Sequence, residues 1–301
     1  MNIAKTLDLS IKKAEIGEAY ADTFYALNDR RYENYIDNAS WNAFVNEMKT
    51  NYPSAYQAYG EGSGDELGIK KNYFPPKMAS YGSSSRMLYL LSRDIHGFRF
   101  EKKLPTTVGG IANTDGYLHR NSTHYYIEAK CREPYSPRSY VIDRKYEELY
   151  AYLDREPNLD FNCKITVLDE RKMSVLFLAK NKELTRFDIK QMICHMLGIA
   201  TDKLNHPTNE KTVFLYLLYN PNQIEIVNRN DRTKILSVYE TEVSECEKIP
   251  FEDLYRAITQ YLFRKKEIGT ATEHEMNQIS NNFTFIHCDQ SSYSRLLSNK
   301  T

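Results

Sequence analysis

The chain has 301 residues, of which 41% are hydrophobic and 27% charged, with 40 Lys and Arg balancing 40 Asp and Glu. That length and balance exclude whole-chain disorder and allow a core that needs no disulfide staples. A net charge of zero removes bulk charge as an argument for nucleic-acid binding, though a local basic surface stays open.

No apolar run approaches the roughly 18 residues of a membrane span. The start, MNIAKTLDLSIKKAEIGEAY, has no apolar stretch of the secretory kind. The five cysteines include no Cys-x-x-Cys pair, which argues against a disulfide framework and a zinc ribbon. The expectation is a soluble, reduced, cytoplasmic protein with no membrane partner. The 24 tyrosines offer stacking faces and phosphate-reaching hydroxyls, although any single one reads first as core edge or surface.

In chain order, residues 1–60 read as helical, with apolar residues at three- and four-residue spacing and Ser40 as an N-cap. Residues 60–83 are rich in Gly, Ser and Pro and read as a loop or linker. Residues 83–95 form a helix with Met87, Leu88, Leu90, Leu91 and Ile95 on its apolar side; the serines at 83–85 cap it, and His96-Gly97 end it. Three strands follow at 98–103, 110–118 and 124–130, with a turn at Arg120-Asn121-Ser122. Residues 140–155 look helical. Residues 163–168 and 173–179 look like two strands about a polar turn.

Residues 186–198 form an amphipathic helix closed by Gly198, and 212–219 a continuous apolar strand. A hairpin over 223–239 and a strong helix over 250–266, with Pro250 at its start, come next. The tail from 269 is polar and weakly patterned. The fold class is α/β (α+β), a central mixed β-sheet flanked by helices. It divides into an N-terminal helical region and linker (1–80), a core (81–220) with an insert at about 134–184, and a C-terminal hairpin and helical extension (221–301) packed on the core.

One segment carries chemistry, GGIANTDGYLHRNSTHYYIEAKCRE (109–133). Strand side chains alternate, so Glu128 and Lys130 share a face while Ile127 and Ala129 turn to the core. The expected arrangement is therefore one face on the core and the other presenting a carboxylate beside an ammonium. Asp115, at the end of the preceding strand, reaches that face. Two carboxylates there suit a hard divalent cation such as Mg²⁺, with Mn²⁺ substituting and the Ala129 carbonyl as a further ligand. Lys130 would orient a metal-bound water or neutralise a phosphoryl oxygen, which is metal-assisted phosphodiester hydrolysis.

The bare acid-x-Lys pattern recurs at Glu47, Glu101, Asp143, Glu170 and Asp188; context alone distinguishes Glu128. Asp188, Gln191 and His195 share one face of the 186–198 helix, where a polar stripe ordinarily faces solvent. Histidines 96, 119, 124, 206, 274 and 287 show no ligand spacing. Cys131 points away from Lys130 and reads as a core residue.

The segment resembles the PD-(D/E)XK nuclease superfamily, in a bacterial restriction-endonuclease-like branch. The phrases FEKKLPTTVGGIANTDGYL, YIEAKCREPYS and QMICHML carry the likeness, over about half the chain. It implies a restriction-endonuclease-like core running helix, three strands, helix, strand over 83–219. Asp115 and Glu128-Ala129-Lys130 fill the motif positions, Glu101 the auxiliary acid with Asp94 behind it, and Gln191 the glutamine of the following helix. No Pro precedes the acid, and a long insert (134–184) separates the motif from Gln191. Lys102, Lys103, Arg132 and Arg138 are candidate nucleic-acid contacts.

The implied activity is a Mg²⁺-dependent endodeoxyribonuclease acting on double-stranded DNA. The implied type is restriction or defence, with a homodimer and a cognate DNA methyltransferase as partners. The alternative is a non-catalytic nucleic-acid-binding or assembly module of the same fold.

Overall fold

The structure, a computed structural model, describes residues 36, 38–62, 64–69, 76–80, 83–131, 140–220, 239–265 and 271–298. In chain order these form α1 (Asn38–Asn51), α2 (Pro53–Glu61), α3 (Ser84–Ser92), β1 (Arg99–Thr106), β2 (Gly110–Arg120), β3 (Thr123–Lys130) and β4 (Val141–Asp143). Then come α4 (Glu147–Arg155), β5 (Phe161–Val167), β6 (Lys172–Ala179), β7 (Lys182–Glu183), α5 (Ile189–Asn205) and β8 (Lys211–Leu218). A helical stretch α6 (239–246) precedes α7 (Phe251–Arg264), α8 (Glu273–Asn281), β9 (Phe283–Cys288) and α9 (Gln290–Ser298).

The main sheet has the order β1-β2-β3-β8-β9. The first three strands are an antiparallel meander, and β8 and β9 join it in parallel. The β2–β3 turn is two residues, Asn121 and Ser122, with φ of 50° and 53°. Both lie in the left-handed region, whose twist matches that of the flanking strands in two-residue hairpins. That turn fixes the register, so His119 faces His124 and Tyr117 faces Tyr126. The insert between β3 and α5 folds into a second antiparallel sheet, β4-β6-β5, with β7 on β6.

Both faces of the main sheet are covered. On one, α3 and α9 bring Met87, Leu88, Leu91, Tyr293 and Leu297 against Leu118, Ile127, Ala129, Leu215 and Leu217. Ser92 and Tyr293 share a buried 2.7 Å hydrogen bond across these two helices. On the other, α5 and α7 pack over Tyr126, Phe214, Tyr216 and Leu218, and the second sheet joins the same core through Phe161, Met173 and Phe177. The face of Glu128 and Lys130 is therefore roofed by α5, contrary to the half-exposed sheet expected from alternation.

Four further differences concern single elements. Helix α5 runs through Gly198 instead of ending there: a Cβ at Gly198 would stand 2.9 Å from Leu104 Cβ and 3.0 Å from Ala112 Cβ. The glycine is a close-approach residue that lets the helix lie on β1 and β2. Residues 141–146 are a short strand and a 3₁₀ turn, with helix only from Glu147. Residues 271–298 of the tail are structured: Thr272 and Glu275 close a capping box on α8, and β9 becomes the outer strand of the main sheet. Among the described residues of 60–83, Leu67 and Met78 are buried and pack with Tyr59 and Tyr89.

Ser83 caps α3 as read from the sequence, accepting from Arg86 N at 3.1 Å. No helix among the described residues is long and apolar enough to cross a membrane. The expected hairpin over 223–239 and the helical reading of residues 1–35 lie almost wholly outside the described residues.

Candidate active site

The meander brings three acids level with one another. Asp115 follows directly on the Gly116–Ile127 pairing, which sets it beside Glu128. Glu101 lies between the Phe100–Gly116 and Lys102–Thr114 pairs, level with Asp115 from the other side. Regular β2–β3 pairing stops at this point, and the Asp115 side chain takes over, Oδ2 accepting from Ala129 N at 2.8 Å. The Lys130 carbonyl accepts from Tyr219 N, on the β8 side. Backbone groups alternate along a strand, so the Ala129 carbonyl turns towards the Asp115 side.

Glu128 is fully buried (0% exposed) and Lys130 nearly so (6%). Lys130 Nζ stands 2.8 Å from Glu128 Oε1 and donates to Gln191 Oε1 at 2.7 Å. His195 Nε2 lies 3.0 Å from Glu128 Oε2. These approaches to Glu128 are short but off-axis, and neither of its oxygens receives a well-aligned hydrogen bond. Gln191 reaches Lys130 from the first turn of α5, where Asp188 caps the helix by accepting from Gln191 N. Gln191 and His195 thus point at the sheet instead of solvent. His195, placed by the sequence on a stripe that ordinarily faces solvent, belongs to the cluster; its spacing of four from Gln191 was the available signal.

The carboxylates differ in proton affinity. Burial pushes Asp115 well above the usual aspartate range, and the neighbouring Glu128 charge adds to it, although Asp115 keeps partial access to solvent. Burial, then Glu66 and Glu128, push Glu101 up to about 7. For Glu128 burial acts in the same direction, but Lys130 and His195 outweigh it and bring the group down to about 2. Acids held side by side at such different affinities are a feature of catalytic and ion-binding sites.

Glu101 also carries a φ of 56° within β1, a strained value for a non-glycine residue. Its carboxylate rests against Gly62, where a Cβ would come within 2.9 Å of Oε2. The N-terminal helices therefore reach the edge of the site. Asp94 does not join it; it accepts from Tyr52 Oη at 2.6 Å on an exposed surface.

Of the candidate nucleic-acid contacts, Lys102 lies 5.2 Å from the Tyr117 ring centroid and Lys103 is exposed. Arg132 and Arg138 lie outside the described residues. Cys131, read as core, is only partly buried. The absence of ligand spacing among the histidines does not hold for His119 and His124. They face each other across the hairpin and converge with Glu210. A two-residue turn at 121–122 carries that pairing in the sequence, but not its partner from the start of β8.

Compared with known proteins, the chain matches no family model, no curated protein and no solved structure.

Proposed function

We propose that the chain is a divalent-cation-dependent endodeoxyribonuclease, hydrolysing phosphodiester bonds of double-stranded DNA on a restriction-endonuclease-like core. The order α3, β1, β2, β3, α5, β8, with β8 parallel beside β3, supports that core. One observation carries the reading. Buried Lys130 touches both Glu128 and Gln191, and one residue away Asp115 clasps the Ala129 N–H.

The residues fit a hard cation such as Mg²⁺, or Mn²⁺ in its place. Glu128 offers two buried oxygens without aligned donors, and Asp115 and Glu101 stand level with it on the neighbouring strands, so acidic oxygens converge on one place from three positions. Asp115, Glu128 and the Ala129 carbonyl would hold the ion, which supplies Lewis acidity and lowers the pKa of a coordinated water. Glu128 and Gln191 hold the Lys130 ammonium in one place. From there it orients the attacking water and offsets charge growing on a phosphoryl oxygen. Glu101 is auxiliary, adjusting the charge around Asp115. A homodimer suits cutting of both strands, and a restriction role pairs with a methyltransferase of the same specificity.

The test is cleavage of supercoiled plasmid and genomic DNA, with Mg²⁺ and with EDTA, by wild type, Lys130→Ala and Asp115→Ala. Metal-dependent cutting should fall by about a thousandfold in both variants. Discrete fragments indicate sequence-specific restriction and a smear a non-specific nuclease. Cutting that survives both substitutions removes the site assignment. No cutting together with no Mg²⁺ or Mn²⁺ binding moves the reading to a non-catalytic nucleic-acid-binding module.

A further inference from the structure

We infer that His119, His124 and Glu210 form a second metal site, for a zinc-class transition ion, at the end of the main sheet away from Glu128 and Lys130. The inference does not rest on the nuclease reading. Two adjacent strands and the residue before a third supply the ligands. His119 and His124 are direct cross-strand partners on β2 and β3, so both side chains leave the same face. Glu210 immediately precedes β8, and the next residue, Lys211, pairs with Thr123 and donates its N–H to Ser122 O at 3.1 Å. The hairpin and Glu210 are thus fixed to one another by backbone, which preorganises the site.

The distances fit one ion. His124 Nε2 lies 2.6 Å and His119 Nε2 3.2 Å from the Glu210 carboxylate, and one donor atom from each residue falls within 4.8 Å of the other two. Ligands of a tetrahedral zinc ion at about 2 Å stand roughly 3.3 Å apart, so small side-chain adjustments close the cage. The two imidazole rings stack, with centroids 4.4 Å apart and planes 19° apart, and both Nε2 atoms lie at the Glu210 carboxylate; nearly parallel rings aim their lone pairs side by side, so one ring turns to bring both onto one ion.

Tyr117 Oη is 2.8 Å from His124 Nδ1, the outer contact that orients metal-binding histidines. With an ion bound, His124 carries its proton on Nδ1, donates to Tyr117, and turns the Nε2 lone pair to the metal. Where the ring proton sits on Nε2 in the metal-free state, it moves to Nδ1 by exchange with solvent, so the neutral ring keeps its single proton. Two imidazoles and one carboxylate select zinc, cobalt or nickel over Mg²⁺ or Ca²⁺. Three protein ligands leave a position for solvent, and His119 opens to it, with 47% of its side chain exposed.

His124 is four residues along β3 from Glu128, about 13 Å at strand spacing. One ion therefore cannot serve both clusters, and substitutions can separate them. The test is calorimetric titration of the chelator-stripped full chain with Zn²⁺, for wild type, His119→Ala, Glu210→Gln and Asp115→Ala. Co²⁺ absorption reports whether sulfur is bound. We expect the tightest Zn²⁺ site of wild type to persist in Asp115→Ala, with its affinity at least about tenfold lower in His119→Ala and Glu210→Gln. The Co²⁺ spectrum should lack thiolate charge transfer. His119 is at the surface, so its variant retains the fold, which circular dichroism checks. Absent Zn²⁺ binding, equal binding by a folded His119→Ala, or a thiolate band would each overturn the site.

Discussion

Two buried glutamates behave in opposite ways. Glu245, on α6, accepts from Thr185 N at 2.9 Å and from Thr185 Oγ1, Arg186 N and Phe187 N at 2.8 Å. It ties down the backbone just before α5. Glu128, on β3, is even less exposed, yet neither oxygen has an aligned donor, and its neighbours are Lys130 and His195. A carboxylate with four directed bonds is complete and holds structure. A buried one approached at short range by Lys130 and His195, without aligned bonds, leaves lone-pair directions open to a cation. The first glutamate positions the helix that carries Gln191 and His195; the second presents itself to the site.

The largest contrast is in activity. Glu128→Gln should lower Mg²⁺-dependent cleavage by about a thousandfold, whereas Glu245→Gln should keep turnover per folded molecule within a few-fold. Plasmid nicking rates normalised to the folded fraction decide it, and equal losses would erase the distinction. Next comes stability. Glu245→Gln sets an amide NH₂ against N–H donors and should cost about 3 kcal/mol, read as a lower urea midpoint at unchanged slope.

A smaller effect tests the helix that links the two. Gly198→Ala drives a Cβ into Leu104 and Ala112 and should destabilise by about 2 kcal/mol. It should also slow cleavage by moving Gln191 off Lys130.

The smallest effect is in pH. Glu101 is raised to about 7, so the folded state holds a proton that the unfolded chain has lost. Its contribution to stability is present below the unfolded glutamate range and is lost as pH rises through about 7. Melting temperature of the metal-free protein should fall more between pH 5 and 8 than that of Glu101→Gln. Parallel profiles would remove Glu101 from the charge balance of the site.

Much of the site was legible because its parts are local. Strand alternation put Glu128 and Lys130 on one face, and helical spacing put Gln191 and His195 on another. What escaped was tertiary. Glu128 and Lys130 flank apolar Ala129, a pattern identical for a half-exposed sheet and for one roofed by α5. Gly198 carries the local signature of a helix end, while its contact with Leu104 and Ala112 depends on packing across distant segments. Thr272-x-x-Glu275 and the FTFIHC strand were readable in the tail, but nothing near them names β8 as a parallel neighbour. His119 and His124 follow from a two-residue turn, whereas Glu210 stands 86 residues beyond His124.

The most direct measurement is Mn²⁺ binding, followed by electron paramagnetic resonance, in wild type, Asp115→Ala, Glu128→Gln and Glu245→Gln, each in a His119→Ala background that removes the hairpin site. The account predicts bound Mn²⁺ in the background and in Glu245→Gln, and its loss in Asp115→Ala and Glu128→Gln. Undiminished binding in those two variants, or none in the background, would contradict it.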